Sequence, residues 1–352
     1  MKQKRNRNEQ IISPFRQMIL RLPFCVALIS GALTFNQSES EAEEITNPAR
    51  PAYERVNDWP ILPEGYVLGN PTGLDIDSEG NLWVFHRGSR KFTFPMPLKK
   101  IPASTVTKID SESGRILDAW GKDLFIMPHG LAIDGNDNVW VTDVGLHQVF
   151  KFDSDGTLLM TLGEAGVSGL DATHFKLPTD VAVASDGSFY VADGYGNSRV
   201  AKFSADGLLL AEWGSRGRGR DELRTPHGIA LDNDENVYLA DRENNRIKKF
   251  DSKGTLISIW ENKEADQLYS ISVPSDRDHL FAIDYDKDED GHILGSDILR
   301  LDLNFKLQIR FGRSGSYEGE ISRYHDIAVD TPGNVYVGDI LGNSIQKFSP
   351  TR

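Results

Sequence analysis

The chain has one cysteine in 352 residues, Cys25, so no disulfide can form within it. Long apolar runs are also missing. The longest, LPFCVALISGALTF at 22–35, is too short to span a bilayer comfortably. A cationic surplus is absent as well: 39 Lys and Arg face 52 Asp and Glu, a formal net charge of −13. That balance disfavours nucleic acid and anionic membrane as partners. The apolar run follows 21 residues carrying six basic groups and precedes the small-polar stretch NQSESEAEE. This order reads as a signal peptide over 1–42, then an exposed linker over 43–58. It predicts an exported protein, secreted or in the periplasm or cell envelope, with no membrane contact once the leader is removed.

What the chain does have is a repeat. Copies start at Pro71, Pro128, Pro178, Pro226, Tyr269 and Tyr324, at intervals of 57, 50, 48, 43 and 55 residues. Each holds a short apolar alternation, an Asp/Gly/Asn turn, a second strand, a polar loop and a third strand. Five of them continue into one further stretch: ILDAWG, LLMTLG, LLAEWG, LISIW and LQIRFG. Such spacing argues strands throughout. Four strands repeated six times predict an all-β, six-bladed β-propeller over 59–352. The last copy lacks a fourth strand, and GYVLGN at 65–70 precedes the first without a partner. An N-terminal strand there is expected to complete the last blade and remove the open edge.

The propeller turns spacing into geometry. Equivalent positions read Thr72, His129, Thr179, His227, Ser270 and His325. Histidine recurs every 98 residues, on alternate blades. The three rings should therefore converge ~120° apart around the axis of the ring of blades. A lone histidine at such a place is ordinarily a hydrogen-bonded loop residue. Three converging imidazoles with an open fourth position form the ligand set of a catalytic zinc ion.

The motifs that carry these residues are NLWVFHRG (81–88), LFIMPHGLAID (124–134), VTDVGLHQVFKFD (141–153), HFKLPTDVAVA (174–184), VADGYGNSRV (191–200), ADRENNRI (240–247) and HDIAV (325–329) with VYVGD (335–339). In this order they resemble the catalytic core of the peptidyl-α-hydroxyglycine α-amidating lyase family, an NHL-repeat propeller, from about residue 60 to 350. The resemblance implies a zinc-dependent carbon–nitrogen lyase that splits a peptidyl-α-hydroxyglycine into an amide and glyoxylate. It places zinc on His129, His227 and His325, the catalytic tyrosine at Tyr195, and the arginines at Arg87 and Arg242. It also implies a structural calcium held by Asp326 and the carbonyls of Leu74 and Leu131. The expected substrate is a small peptide or other carbinolamide, delivered by a separate hydroxylating enzyme. Here Gly196 follows Tyr195, where animal members of the family place a cysteine.

Other readings stay open on the residues alone. Arg242 has Asp241 and Glu243 beside it as surface partners, and Asp326 could serve only to orient His325. A non-catalytic NHL-repeat propeller would bind a protein or glycan on its loop face. A zinc propeller enzyme could act on another carbinolamide or an ester; calcium-centred lactonase sites use carboxylate and Asn ligands, whereas three histidines suit zinc. Finally, DYDKDEDGHILGSD carries Asp286, Asp288, Asp290 and Asp297 in the order of an EF-hand loop. This is either a second calcium site or an acidic surface turn.

Overall fold

The structure, a computed structural model, describes residues 52–274, 278–312 and 321–351. The leader expected at 1–42, and the first part of the linker, lie outside these residues. Among the described residues, no helix is long and apolar enough to cross a membrane.

Six antiparallel sheets form the blades of a β-propeller. Their innermost strands are Pro71–Ile76, Pro128–Ile133, Asp180–Val183, Pro226–Leu231, Gln267–Ser272 and Tyr324–Val329. One device builds the first hairpin in four of the six blades. The carboxylate of Asp77, Asp134, Asp232 or Asp330 accepts the backbone N–H of the asparagine four residues on. It also accepts the indole or phenol of the aromatic six residues on: Trp83, Trp140, Tyr238 or Tyr336. The short side chain thus satisfies turn donors that the ladder cannot reach.

Apolar burial is segmented, each cluster lying between two neighbouring blades. Trp83, Phe85, Phe125 and Val141 join the first and second blades. Leu74, Val84, Tyr336 and Ile345 join the sixth back to the first, closing the ring. Because every blade buries both faces against neighbours, the axis itself is left for polar side chains.

Closure by an N-terminal strand is present, but a different segment supplies it. Tyr53–Arg55 pairs with the last strand, Ser344–Pro350, as the outer edge of the sixth blade. The Tyr53 ring stacks on Phe311 at 4.6 Å, a contact worth about 1 kcal/mol beyond area burial. The 65–70 stretch instead runs beside the first blade, where Gly69 bridges Gly88 and Leu68 is buried. The expected linker at 43–58 therefore includes a propeller strand, and the propeller begins before residue 59.

Candidate metal centre and its surroundings

Each site histidine sits at a β-bulge near the start of its innermost strand. Pairing jumps from Pro128–Asp143 to Leu131–Val141, from Pro226–Asp241 to Ile229–Leu239, and from Tyr324–Asp339 to Asp326–Gly338. The extra residue re-aims the side chain out of the ladder and toward the axis. The approach to each bulge is tied down by an aspartate ending the second strand. Asp143 accepts the N–H of Ile126 and Met127, Asp241 that of Arg224, and Asp339 that of Arg323.

The three rings form a nearly equilateral triangle, with centroids 4.7, 4.6 and 4.8 Å apart. All three are buried, and one ligand atom from each lies within 4.8 Å of the others. Each Nδ1 donates to a carbonyl of the next blade: His129 to Thr179 at 2.6 Å, His227 to Tyr269 at 2.9 Å, His325 to Thr72 at 2.9 Å. A carbonyl can only accept, so Nδ1 carries the proton and Nε2 offers a lone pair. Burial, with the Arg242 cation contributing at all three and Arg87 at His129 and His325, holds the imidazoles well below their ordinary titration range. They are neutral and competent as ligands at physiological pH.

These carbonyls also revise the repeat register. Tyr269, not Ser270, occupies the fifth-blade position equivalent to Thr72 and Thr179, because pairing there skips from Leu268–Asp284 to Ser270–Ile283. The Tyr269 ring then lies 5.1 Å from His227, with the Arg242 guanidinium over it at 5.0 Å.

Tyr195 reaches the same place. Its hydroxyl is 3.0 Å from His129 Nε2 and 3.3 Å from His227 Nε2, and it accepts from Arg242 Nη1 at 3.3 Å. The glycines flanking it are steric necessities. A Cβ on Gly194 would lie 1.7 Å from the Pro226 carbonyl oxygen, and one on Gly196 would lie 2.3 Å from Lys176 Cγ. In place of a disulfide, Asn197 holds the loop by donating to Asp193 and to the Gly169 carbonyl.

Arg87 is fully buried beside this group. Its Nε donates to the Pro128 carbonyl at 2.9 Å, while Nη2 has no partner among the described residues. Burial lowers its pKa to about 10, so it stays a cation near neutrality. Arg242 does pair with Glu243, at 2.9 Å, yet keeps Nη1 on Tyr195. Asp241 is committed elsewhere, to Arg246.

Asp326 does not orient His325. Its carboxylate accepts from Leu74 N–H at 2.7 Å and Ser270 Oγ at 2.6 Å. Below the histidines, Asp326, Asp180, Asp75, Leu74 and Leu131 line an axial cavity of about 510 Å³. Asp180 and Asp75 escaped the sequence reading. Each accepts a backbone N–H of the following blade, from Ile229 and Ile133 respectively, so nothing local marks them. Burial raises Asp326 to about 7 and Asp75 to about 6. Burial and the charge of Asp326 raise Asp180 well above the carboxylate range.

The acidic loop of the fifth blade departs from its expected form. Asp288 and Asp290 stand near His292 at the surface, with Asp288 bonded to His292 at 2.9 Å. Asp297 is buried at the start of a blade strand and paired with Arg310. The EF-hand order of Asp286, Asp288, Asp290 and Asp297 is therefore not assembled in space.

A closed β-propeller gathers three imidazoles, a phenol and two guanidiniums at one mouth of its axis, and the three histidines could hold a metal ion. The NHL repeat model matches residues 125–152, 175–203 and 223–250. Peptidyl-glycine alpha-amidating monooxygenase B of Xenopus laevis is 34% identical over 338 residues, 90% of this chain and 38% of that protein. A probable peptidyl-alpha-hydroxyglycine alpha-amidating lyase of Caenorhabditis elegans is 34% identical over 293 residues, 78% of this chain and 80% of that one. The chain belongs to the peptidyl-α-hydroxyglycine α-amidating lyase family and is an enzyme of the lyase class. It spans about a third of the length of the monooxygenases it matches. In fold it also matches a streptogramin B lyase structure, with a TM-score of 0.54 at 16% identity over 85% of this chain and 97% of that one.

Proposed function

We propose that the chain cleaves the C–N bond of a peptidyl-α-hydroxyglycine, yielding a peptide amide and glyoxylate, with zinc held by His129, His227 and His325. The observation that carries this reading is the buried Arg87 cation. Its Nη2 has no partner among the described residues, beside three neutral imidazoles and Tyr195, and burying such a donor without an acceptor is costly. A substrate carboxylate supplies that acceptor, and the planar guanidinium suits it. Arg242, on the other side of Tyr195, is the second cation for the same group.

The donor set fits the metal: three neutral nitrogens with their protons committed to carbonyls suit zinc and leave a ligand position open. When bound, zinc supplies Lewis acidity toward a substrate oxygen.

Tyr195 is the group placed to move the proton. The carbinolamide hydroxyl gives up its proton to Tyr195 acting as phenolate, as the carbon–oxygen double bond forms. The electron pair of the breaking C–N bond goes to nitrogen, which takes the proton back from Tyr195 to become the amide. No water is consumed, so the products balance as amide plus glyoxylate. Arg242, donating to the Tyr195 oxygen, stabilises the phenolate form that accepts the proton.

Asp326, with the carbonyls of Leu74 and Leu131, would hold a structural calcium on the axis. Carboxylate and carbonyl oxygens suit that hard cation. The upward pKa shifts of Asp326 and Asp180 support a cation there, since positive charge would relieve the crowding of buried carboxylates. A hydroxylating enzyme would supply the substrate, and an exported location fits the acidic chain and the basic and apolar stretches over 1–35.

The test is glyoxylate release from an α-hydroxyglycine-terminated compound by the zinc-loaded protein, with His227→Ala alongside. Release that vanishes in the variant is expected. No release from a protein that binds zinc stoichiometrically would direct the site to another carbinolamide or an ester. No release and no zinc would leave a non-catalytic NHL-repeat binding propeller.

A further inference from the structure

The long connection between the second and third strands of the first blade borders the mouth of the site, and beyond Arg87 its residues, 88–105, are not used by the chemistry above. It is firmly held. Arg90 Nη1 donates to the carbonyls of Lys99 and of Ile126 in the second blade, at 2.5 and 2.7 Å. Ile101 is buried and exchanges backbone hydrogen bonds with Phe125 and Asp123.

This anchored loop nevertheless keeps large apolar side chains in water: Phe94 is 67% and Leu98 is 92% exposed. Phe94 is not isolated. Its ring meets Phe92 edge-on at 5.3 Å; Phe92 in turn lies 5.7 Å from the Tyr195 ring and 4.9 Å from the Arg87 guanidinium carbon. A continuous aromatic row therefore runs from the phenol of the site to solvent. The same loop carries Arg90, Lys91, Lys99 and Lys100 and no acid between Gly88 and Thr107, in a chain of net charge −13. This is a local positive rim that draws an anionic substrate toward the mouth.

The geometry points to Phe92 and Phe94 as the subsite for the residue that precedes the hydroxyglycine, selecting an apolar or aromatic side chain there. The inference rests on the lyase reading. With the substrate carboxylate on Arg87 and Arg242 and the scissile carbon at Tyr195, the acyl portion must leave the pocket outward. The axis below the histidines is constricted by Gly130, Gly228, Asp180 and Asp326. The row beginning at Tyr195 is the apolar surface along that exit. Aromatic rings give large contact area at low conformational cost, so side chains of the same kind gain most from it.

The experiment compares N-acetyl-Phe-α-hydroxyglycine with N-acetyl-Gly-α-hydroxyglycine as substrates of the wild type, Phe94→Ala and Phe94→Leu. Preference of the wild type for the Phe compound is expected. Phe94→Ala should lower kcat/KM for it about tenfold and change the Gly compound by less than about twofold, while Phe94→Leu retains most of the preference. Equal effects on both compounds, or none on the Phe compound, overturns the subsite. Calorimetric binding of the uncleavable N-acetyl-Phe-Gly and N-acetyl-Gly-Gly gives an independent readout. If the wild type cleaves neither hydroxyglycine, the lyase reading fails. The subsite then stands or falls on whether Phe94→Ala selectively weakens the Phe ligand.

Discussion

The Tyr195 hydroxyl lies 3.0 Å from Nε2 of His129, although the two residues come from different blades and are 66 positions apart. Tyr195 is seated by Gly194 against the Pro226 carbonyl and by packing on Ile126, Met127, Val144 and Leu146. Phenylalanine fills the same space without the oxygen. Tyr195→Phe is therefore expected to lower turnover by roughly a hundredfold or more while bound metal stays stoichiometric. Glyoxylate assays beside metal analysis check this; a fully active variant would remove Tyr195 from the chemistry.

Metal retention is expected to depend on all three rings, because each Nδ1 is already committed to a carbonyl and cannot turn to replace a lost neighbour. His227→Ala should lose its metal on dialysis against a mild chelator under conditions where the wild type keeps it. Emission spectroscopy of the dialysed proteins decides the matter, and an unchanged metal content would remove His227 from the ligand set.

Acid should destabilise the first blade through His86. Its Nδ1 accepts from Gly88 N–H at 3.2 Å, so Nε2 carries the proton and donates to Thr107 Oγ1 at 3.0 Å. Burial lowers its pKa from 6.5 to about 4. The folded state thus favours neutral imidazole. Its contribution is complete above pH 6.5 and is lost as pH falls from there toward 4, because the unfolded chain takes up the proton first. The loss reaches about 3 kcal/mol. Urea unfolding of the metal-free proteins at pH 7 and pH 4.5 should show a smaller acid loss in His86→Gln than in the wild type. Parallel behaviour of the two would contradict the assignment.

A cation on the axis should couple to stability through Asp326. A cation that binds only the folded state raises the melting temperature by an amount that grows with the logarithm of ligand excess. The wild type is expected to melt higher in calcium than in chelator. Asp326→Asn, which keeps the shape but loses the charge, should melt at the same temperature in both. A variant that still responds to calcium would place the ion elsewhere.

Ring closure is a separate matter from the site. Removing residues 1–51 should leave the melting temperature unchanged, whereas removing 1–57 takes away Tyr53–Arg55 and exposes the edge of Ser344–Pro350. A lower melting temperature for the second truncation only is expected. Identical melts would mean that this strand does not close the ring.

Much of the architecture was legible because the signals are local. Each hairpin is written within about twenty residues by alternation, and in four blades also by Asp-to-Asn and Asp-to-aromatic bonds such as those of Asp134 with Asn138 and Trp140. Counting such units yields six blades, and even spacing of histidine then yields alternation around a closed ring. The closing strand was misplaced because three residues carry no periodicity. Their place is set by pairing with Pro350 and by Tyr53 stacking on Phe311. The fifth copy is hard to register from sequence because Leu268 stands where the other copies open on Pro or Tyr and Tyr269 mimics that opening residue; only its pairing places Tyr269 at the bulge.

By itself, the order of residues determined a β-propeller of six blades and three histidines placed to meet on its axis, since both follow from the period of a locally encoded repeat. Tertiary structure alone decided the company those histidines keep. It brought the unpartnered Nη2 of Arg87 to the pocket and turned Arg242 to share itself between Glu243 and Tyr195. It also joined Asp75, Asp180 and Asp326 in one cavity. These groups come from different blades, and their proximity arises only when the ring closes and a shared low-dielectric interior makes each feel the charge of the others.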